Sequence, residues 1–395
     1  MKVIEINATY GYTSTGNIVK DIETTLNNNG HECAVAYQSA LVKPKNGFKV
    51  GNFFDGKWHA LWTMIYGAQG YASRCATKKL IKWIRKQKPD IVNLHNVHSN
   101  YINLNMLLSF FAKENIRTVI SLHDCWFFTG KCFHFIEDGC YKWKESCGIC
   151  PRKKKDAISF VDRSKKVLKD KKEKFNAIKN LTVVASSKWV GGLVEESILK
   201  DKAKAHIYNG IDTKFFSPNK RVDHPDKFVI LGDGNKWTQQ NNRELLDLVY
   251  NSLLDDELLV LYGIRDEHLE VLKNYPKIYK IPYENNKEKM AKIFASSDVF
   301  VNATHADTLP TVNMEAASTG TPVITYNACG SPELVSDCVS GYVVEVGDVL
   351  GMMEAIKKVK DGKISRKDVR DFAEKSFDKE KNYLKYLELF ETLLG

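Results

Sequence analysis

The chain has no long hydrophobic run, and this absence argues against a helix that spans a membrane. Among its 395 residues, no window approaches the roughly 18 uncharged apolar residues that a bilayer span requires. The apolar run at residues 1–6 is too short for a signal peptide and is interrupted by Glu5. This segment is typical of a buried first strand, and we expect the protein to be made and kept in the cytoplasm.

Two motifs that define other classes of enzyme are also incomplete. A dinucleotide-binding turn has three glycines in a Gly-x-Gly-x-x-Gly pattern after an early strand. The nearest match, Gly232-Asp233-Gly234, lacks the third glycine, which disfavours a nicotinamide-dependent oxidoreductase. No Asp-x-Asp motif follows a predicted strand, because Asp255-Asp256 is typical of a surface turn. We therefore expect catalysis to require no divalent ion and no other cofactor.

The length and the hydrophobic pattern predict an α/β protein of two domains. A chain of this length is sufficient for two separate cores. Apolar runs such as Ile91–Leu94 and Thr118–Leu122 alternate with helical stretches, and the second half repeats the alternation. This order predicts parallel sheets that are covered by helices on both faces. The Asn-Gly pair at 209–210 is a strong local break, so we predict domains at residues 1–208 and 209–375.

Charge is distributed unevenly between the two halves. Residues 1–208 contain 34 Lys and Arg against 18 Asp and Glu, a net charge of +16, whereas residues 209–395 contain 24 against 30, a net charge of −6. The segment from Arg152 to Lys174 is densely basic, with eleven basic and four acidic side chains. It fits the solvated face of a helix, or a surface for anionic lipid headgroups or a polyphosphate lipid acceptor. Nucleic acid is a third interpretation, but no DNA- or RNA-binding motif accompanies the charge.

The most informative segment is Ala306 to Val335, in which two acids stand on either side of seven residues. Thr308-Leu309-Pro310-Thr311 has the composition of a loop that opens a helix, and Gly320-Thr321-Pro322 ends that helix before an apolar strand. The free amides and positive dipole end of a helix N-terminus suit a phosphate group. Asp307 and Glu315 could then bind hydroxyl groups on either side of the diphosphate of a nucleotide sugar. The alternative is an ordinary helix whose acidic residues are favoured by the dipole alone.

Three predicted strand ends in the first half carry polar residues, and ligands of parallel sheets bind beyond such ends. Thr15-Gly16 opens a helix after the first strand, although simple turn chemistry explains one glycine there equally well. His123-Asp124 follows the strand Thr118–Leu122 and could orient a reacting sugar, although a structural histidine is the commoner case. His95 and His98 follow another strand and are candidates for contact with an acceptor.

Four of the nine cysteines cluster in one segment and end in Cys-Gly-Ile-Cys-Pro. Cytosolic enzymes rarely keep disulfides, so such a cluster favours metal or redox chemistry. Tetrahedral zinc is one interpretation, and since four thiolates leave no open position, such a zinc would be structural. Cys125 and His134 could substitute as ligands, and a set of buried reduced thiols is the alternative. The four predicted ligands are Cys132, Cys140, Cys147 and Cys150.

The block from Ala306 to Val335 resembles the donor-site signature of the retaining family 4 glycosyltransferases. That signature has two acids flanking seven residues, then a Gly-Thr-Pro-Val run and a downstream Glu, here Glu333. The order Asp-x-Leu-Pro, and the segment from Asp124 to Cys132 with Trp143, are similar to the branch of colanic-acid type exopolysaccharide glycosyltransferases. The resemblance extends over nearly the whole chain.

The resemblance implies the GT-B fold, in which two Rossmann-like domains face each other across a cleft. The second domain would bind the nucleotide sugar, the first would bind the acceptor, and a helix within residues 376–395 would cross back to the first domain. The implied reaction moves a sugar, with retention of configuration, from a UDP-, GDP- or similar donor to a growing polysaccharide or lipid-linked glycan. Such chemistry serves exopolysaccharide, capsule or O-antigen biosynthesis. A peripheral position on the inner face of the plasma membrane would bring the enzyme to its acceptor.

The resemblance also assigns roles to residues. By position, Asp307 would contact the donor sugar, Glu315 the ribose, and the segment Thr308–Thr311 the phosphates. A histidine at the position of His123 contacts the donor sugar in related enzymes, so His123 and Asp307 are the predicted catalytic residues. Gly16 is assigned to donor binding. The predicted acceptor-side residues are Thr15, His95, His98 and Asp124.

One departure from the family pattern concerns the leaving group. Family members carry two basic residues in an Arg-Lys-Gly stretch that stabilise the departing diphosphate, but the matching positions here are Gln240 and Asn241. The loss of one charge-assisted donor costs about 2.7–4 kcal/mol in comparable sites. Lys236, Arg243 or Arg265 could replace the pair from neighbouring positions. Otherwise the protein would be a weak or inactive nucleotide-binding scaffold subunit of a polysaccharide assembly complex.

Overall fold

A computed structural model describes residues 1–222 and 226–395 and divides them into two compact units. The first unit contains Met1–Asn209 together with Glu380–Gly395, and the second contains Gly210–Lys379. In both units every paired strand is parallel to its neighbours. The predicted α/β class with parallel sheets is therefore confirmed.

The sheet of the first unit has seven strands, with β1 near its middle. Their bounds are β1 (Lys2–Tyr10), β2 (Glu32–Ala40), β3 (Gly47–Lys49), β4 (Ile91–Leu94), β5 (Thr118–Leu122), β6 (Leu181–Ala185) and β7 (Ala203–His206). The order across the sheet is β3-β2-β1-β4-β5-β6-β7. The chain therefore builds outward from β1 in one direction and resumes on its other side with β4. The carboxyl edge at β1 and β4 is such a reversal point, where ligands of open parallel sheets bind.

Six helices connect these strands. Their bounds are α1 (Ser14–Asn28), α2 (Phe53–Tyr66), α3 (Arg74–Gln87), α4 (Leu104–Lys113), α5 (Ser164–Ala177) and α6 (Lys188–Glu195). Most are ordinary amphipathic helices: α1, for example, buries Ile18, Ile22 and Leu26 at helical spacing. The basic helix α5 buries Val167, Leu168 and Phe175 on one side, and Lys165 and Lys169 on its other side are exposed, as the solvated-face interpretation requires.

The second unit repeats the design with six strands. They are β8 (Phe228–Asp233), β9 (Glu257–Ile264), β10 (Tyr279–Pro282), β11 (Val299–Asn302), β12 (Val323–Tyr326) and β13 (Gly341–Val344). The order is β10-β9-β8-β11-β12-β13, so the reversal point lies between β8 and β11. Its helices are α7 (Gly234–Trp237), α8 (Arg243–Ser252), α9 (Asp266–Leu272), α10 (Lys287–Ser296), α11 (Thr311–Ser318), α12 (Val349–Lys360) and α13 (Arg366–Phe377).

A last helix, α14 (Lys379–Leu394), completes the core of the first unit. Its aromatic residues Tyr383, Tyr386 and Phe390 are buried against Val3 of β1 and Val119 of β5. The Tyr386 hydroxyl also donates a hydrogen bond to Ser121 Oγ over 3.2 Å. Within the described ranges of the chain, no helix combines the length and the apolar character that a membrane crossing demands.

Candidate active site

Three strand ends of the first unit meet at the reversal point. The turn that opens α1 follows β1, His95 follows β4, and His123 follows β5. Because β4 pairs with both β1 and β5, the sheet brings these predicted residues to one edge. Their roles in binding or catalysis stay predictions.

A buried chain of hydrogen bonds runs from the middle of β1 to His123. Glu5 Oε2 lies 2.5 Å from His95 Nε2, and His95 Nδ1 lies 2.8 Å from His123 Nε2. Asn93 Nδ2 donates to Glu5 Oε2 over 2.9 Å, and Ser121 Oγ donates to Asn93 Oδ1 over 3.0 Å. The two imidazole rings are also stacked, with centroids 5.1 Å apart. These contacts fix the orientation of the His123 ring.

Burial determines the charge of this chain of side chains. It raises the pKa of Glu5 well above the usual range, and it lowers the pKa of His95 and of His123 to about 3. All three groups are therefore neutral near pH 7. We assign the protons accordingly: Glu5 donates to His95 Nε2, and His95 Nδ1–H donates to His123 Nε2. This assignment leaves the proton of His123 on Nδ1.

His98 and Asp124 form a second pair at the same edge. His98 Nε2 lies 2.9 Å from Asp124 Oδ2, and the Trp126 amide donates to Asp124 Oδ1 over 2.8 Å. Burial would raise the pKa of Asp124, but His98 and these hydrogen bonds outweigh it and hold the pKa below its usual value. The His98 ring packs against Phe133, with centroids 4.5 Å apart. Asp124 is therefore an ionised residue whose orientation is fixed.

The turn before α1 is tightly packed. Thr13, which caps α1, has a φ of 60°, and its hydroxyl lies 2.8 Å from Thr9 Oγ1. A Cβ atom at Gly16 would lie only 2.7 Å from Thr9 Oγ1, so packing alone requires glycine there. Thr15 Oγ1 is 3.5 Å from Asn7 Nδ2. The close packing supports the turn-chemistry interpretation of Gly16, and its role in donor binding stays a prediction.

In the second unit, the loop after β11 leads into α11 as the sequence predicts. Asp307 Oδ1 accepts a hydrogen bond from the Leu309 amide over 3.0 Å, which fixes the bend before the helix. The N-cap residue of α11 is Pro310, whose side chain provides no cap for the helix amides. By contrast, α1 is capped by Thr13. The positive end of α11 suits an anion, and Thr308, Leu309 and Pro310 are buried and fix the path of the loop.

Glu315 lies in the second turn of α11 and is half-buried. Burial raises the pKa of its carboxyl group to about 7, and Lys287 opposes the rise. A carboxyl group with this pKa changes charge within the physiological range, which is unusual outside functional sites. The structure therefore places a perturbed acid beside the uncapped helix end.

Two further loops converge on Asp307 and its surroundings. The Gly330 amide donates to the Asp307 carbonyl over 3.2 Å, which brings the turn containing Glu333 to the same place. Asn242, buried behind the loop, donates to the Ala303 carbonyl over 2.7 Å and lies 2.9 Å from His305 Nε2. The predicted downstream acid thus lies near the predicted first acid, in a loop that Asn242 anchors.

The basic residues proposed as substitutes have different surroundings. Gln240 and Asn241 are exposed, as is usual for a surface turn. Arg265 stacks on Tyr283, with the guanidinium 4.3 Å from the ring centre, and Arg243 donates to the Thr238 carbonyl over 3.4 Å. Lys236 is half-buried at the end of α7, directly beyond β8. Its position at the reversal point makes Lys236 the best placed of the three to meet a phosphate.

The structure does not confirm the predicted zinc site in the cysteine segment. Over residues 1–222 and 226–395, no three His, Cys, Asp or Glu side chains are arranged to hold a metal ion, so zinc at Cys132, Cys140, Cys147 and Cys150 is not confirmed. Burial raises the pKa of Cys132 to about 12 and that of Cys147 to about 11, as is usual for buried thiols.

Charged side chains fasten this segment instead. Arg152, only 8% exposed, donates to Asp156 over 2.6 Å and also pairs with Asp138. Lys171 of α5 is buried, donates to the Thr129 carbonyl over 2.9 Å, and lies 3.5 Å from the centre of the Trp126 ring. The long loop that zinc was expected to pin is therefore held by two buried cations.

Four residues of these networks were not identified from the sequence. Glu5 and Asn93 interrupt apolar strands, and this interruption is the pattern that could have revealed them, since a buried polar side chain needs a partner. Asn242 and His305 lie in loops, where nothing in the local pattern distinguishes them from surface residues. Each is now accounted for by a hydrogen bond to a predicted site element.

Comparisons with known proteins agree with this geometry. Residues 259–376 match the family described as Glycosyl transferases group 1. The chain is 23% identical over 290 residues to the colanic acid biosynthesis glycosyl transferase WcaC of Escherichia coli K12, covering 69% of this chain and 68% of that protein. It is 26% identical over 178 residues to an Escherichia coli UDP-Gal:alpha-D-GlcNAc-diphosphoundecaprenol alpha-1,3-galactosyltransferase, covering 40% and 45% of the two chains.

Solved structures show the same fold. Sucrose-phosphate synthase from Thermosynechococcus elongatus superposes with a TM-score of 0.70 at 14% identity, covering 100% of this chain and 99% of that one. Anabaena HepE in complex with UDP and glucose has a TM-score of 0.65 at 15% identity, covering 99% of each chain. The chain therefore has the GT-B fold and carries a group 1 glycosyltransferase domain that contains Asp307 and Glu315. Glycosyltransferases of this group generally need no cofactor.

Proposed function

We propose that the protein transfers a sugar from a nucleotide-sugar donor to a growing polysaccharide or lipid-linked glycan, with retention of anomeric configuration. The observation that carries the proposal is the N-terminus of α11, whose N-cap residue Pro310 provides no side-chain cap and which lies between Asp307 and Glu315. This helix end belongs to the group 1 glycosyltransferase domain. A diphosphate at these amides would have an acid available for hydroxyl groups on either side of it.

The relatives support the choice of substrates. HepE was solved with UDP, with UDP and glucose, and with UDP-glucose. One curated relative is a galactosyltransferase whose name specifies a UDP-linked donor and a diphosphoundecaprenol-linked acceptor. We therefore propose a nucleoside diphosphate sugar as donor and a lipid-linked glycan as the favoured acceptor class, in exopolysaccharide or related surface-glycan biosynthesis.

In this reaction, the bond between the anomeric carbon and the diphosphate oxygen breaks, and a bond to the acceptor oxygen forms on the same face. The proton of the acceptor hydroxyl would pass to the departing diphosphate. Negative charge grows on the leaving diphosphate, and its stabilisation is the main task of the site. The amides of Thr311 and Val312 and the ammonium group of Lys236 would supply it. Asp307 would orient the donor sugar, and Glu315 would accept hydrogen bonds from the ribose.

The first unit would contribute His123 to the sugar. Because His123 is neutral and its Nε2 accepts from His95, its Nδ1–H can donate one hydrogen bond without the cost of reorienting. The Glu5–His95 pair then acts as a positioning device rather than as a proton source. His98 and Asp124 remain the proposed residues for the acceptor hydroxyl.

Thermal unfolding in the presence of nucleotides tests the donor site. UDP, GDP and ADP, and their sugars, should be screened, and we expect at least one to raise the melting temperature, since a ligand selective for the native state stabilises it. Glu315→Ala should abolish that shift. Glu354→Gln, on exposed α12 of the same unit, serves as the matched control and should leave the shift unchanged. No shift with any nucleotide would remove the donor site from the proposal.

A second candidate function is a catalytically weak scaffold that binds nucleotides within a polysaccharide assembly complex. The exposed, uncharged Gln240 and Asn241 favour it, because they replace the basic pair of the family pattern. Nucleotide binding without hydrolysis or transfer of the donor sugar would support this alternative. Transfer of radiolabelled sugar to a lipid extract would exclude it.

A further inference from the structure

Helix α2 exposes apolar side chains and buries polar ones, which is the reverse of the usual arrangement in a globular protein. Its exposed side chains are apolar: Phe54 is 78% exposed, Trp58 61% and Ile65 56%. Its buried side chains are polar, since only His59 and Thr63 are buried. Three and four residue spacings place the exposed apolar residues on one side and the two polar residues on the opposite side.

The polar side of α2 is the side that attaches it to the first unit. His59 Nδ1 lies 2.8 Å from Ser73 Oγ, and His59 Nε2 accepts from the Gly70 amide over 3.2 Å. Thr63 Oγ1 lies 3.4 Å from Asn100 Oδ1. Asn52 and Asp55 form a capping box at the start of the helix. The helix is therefore well formed and firmly attached, and its apolar side is not an accident of a frayed segment.

A second exposed segment extends the apolar side of α2. The Phe160 amide donates to the Met64 carbonyl over 2.8 Å, which places the loop before α5 against the end of α2. Phe160 is 70% exposed and Val161 44% exposed. The α2 face, defined as the exposed apolar side chains of α2 with Phe160 and Val161, is thus a continuous feature of two chain segments.

Cations border the α2 face. Lys57 Nζ lies 5.2 Å from the centre of the Phe53 ring, and the Arg163 guanidinium lies 4.2 Å from that of Tyr66. Lys49 and Lys57 line a cavity of about 420 Å³ at the first turn of α2. From residue 33 to residue 89 the sequence has eleven basic residues and a single acid, Asp55, which the capping box occupies. The surroundings of the face therefore attract anions.

We infer that the α2 face is a membrane-docking surface whose partner is the headgroup and upper acyl region of an anionic phospholipid bilayer. Tryptophan and phenylalanine favour that interfacial region, and lysine and arginine at its border pair with lipid phosphates. A second copy of the chain fits less well, because it would bring the same basic border against itself. The inference does not depend on the proposed function, but it would bring the enzyme to a lipid-linked acceptor.

The inference also moves the predicted membrane contact. Contact with anionic lipid was one of three interpretations of the basic segment from Arg152 to Lys174, but Arg152 and Lys171 are buried and hold the cysteine segment in place. The exposed portion adjoins α2 through Phe160 and Arg163. Charge in this segment then assists docking, while α2 supplies the apolar contact.

Vesicle co-sedimentation of the full chain tests the inference. The wild-type protein should bind vesicles of phosphatidylcholine with about a third phosphatidylglycerol, and bind pure phosphatidylcholine at least several-fold more weakly. The triple variant Phe54→Ser, Trp58→Ser, Ile65→Ser should lose at least tenfold in binding to anionic vesicles. The control variant Leu248→Ser, Leu254→Ser, Leu350→Ser removes exposed apolar side chains of the second unit and should bind as wild type does.

Two further measurements distinguish docking on a bilayer from self-association of the chain. Lipids brominated near the headgroup should quench tryptophan fluorescence in the wild type, and the quenching should fall in a Trp58→Phe, Trp62→Phe variant. Lys49→Gln with Lys57→Gln should weaken binding several-fold while the melting temperature stays the same. The inference is overturned if the wild type does not bind anionic vesicles, or if the triple variant binds them as well as the wild type does. It is likewise overturned if wild type is a dimer that the triple variant converts to monomer without any vesicle binding.

Discussion

The carboxyl edges of the two sheets are built in opposite ways. In the first unit, Glu5, His95 and His123 satisfy one another through hydrogen bonds of 2.5 and 2.8 Å and are neutral because they are buried. In the second unit, the N-cap residue of α11 is Pro310, which provides no side-chain cap, and Glu315 is half-buried with a pKa of about 7. We propose that the first edge positions a reacting group and that the second binds a charged ligand. Mutations at the two edges should therefore have different signatures.

The largest effect is expected from His123→Ala at the positioning edge. Loss of one preorganised hydrogen bond to the transition state should lower kcat by about 10²–10³-fold. The affinity for nucleoside diphosphate, measured by thermal shift or calorimetry, should not change, because the second unit binds it. Equal losses in affinity and kcat would mean that the two edges do not divide the work in this way.

The substitution Glu5→Gln tests whether Glu5 at the positioning edge is neutral. If Glu5 is neutral, a glutamine amide can donate to His95 Nε2 in its place, so activity should fall only a few-fold. If Glu5 is ionised, glutamine would reverse the direction of the hydrogen-bond chain, and activity would fall as far as in His123→Ala.

The next largest effect is expected from Lys236→Met at the binding edge. If Lys236 replaces the missing basic pair, its loss should lower kcat by about 100-fold, because leaving-group charge is no longer balanced. Arg243→Met is the matched control, since Arg243 is engaged with the Thr238 carbonyl, and it should cost much less. If both variants turn over donor as wild type does, neither residue replaces the basic pair, and Arg265 is the remaining candidate. Initial rates with a radiolabelled donor provide the measurement.

The smallest effect is a difference in pH dependence between the units. Burial lowers the pKa of His59 to about 4, so its contribution to stability is present above about pH 6.5 and is lost as the pH falls from there towards 4. The raised pKa of Glu315 has the opposite sign, and its contribution is present below about pH 4.5 and is lost as the pH rises through 7. Between pH 5 and 7, the contribution of each group to the free energy of unfolding changes by about 2 kcal/mol.

Hydrogen exchange resolved by unit can detect both terms. His59→Asn should remove about 2 kcal/mol of acid sensitivity from the first unit, and Glu315→Gln should remove about 2 kcal/mol of alkaline sensitivity from the second. If the two substitutions changed the pH slope of their units in the same direction, the assigned pKa shifts would be contradicted.

Regular elements with a conventional hydrophobic pattern were predictable from the sequence. The strands Ile91–Leu94 and Thr118–Leu122 were predicted with the bounds that the structure has. Each is a short buried run between helices, where pattern and environment agree. The helix after Pro310 was also predicted to within one residue at each end, because a proline and a glycine mark its limits.

Helix α2 was not predicted, for a physical reason. Pattern-based prediction assumes that apolar side chains face the core, whereas α2 turns His59 and Thr63 inward. The zinc prediction, which the structure does not confirm, shows what cysteine spacing alone cannot reveal. Cysteine spacing indicates which thiols are close in sequence, but it does not reveal that Arg152 and Lys171 already fasten the same loop.

The candidate site was partly predictable because its residues follow strand ends. His95, His123, Asp124 and Asp307 come directly after strands or in the next loop, and parallel sheets gather such positions at one edge. The partners that orient them were not predictable, since Glu5 is 90 residues from His95 and Asn242 is 63 residues from His305. Only the folded chain brings such distant groups together.

The placement of α14 has a consequence for biosynthesis. Tyr383 and Phe390 fill the hydrophobic centre of the unit formed by the first 209 residues, and Tyr386 touches Ser121 beside the histidines. A ribosome delivers these aromatic residues only after the intervening 170 residues, Gly210–Lys379, have emerged. The strands of the first unit therefore wait with an open, apolar seam until residues 383–390 have emerged, and they should depend on chaperones during that interval.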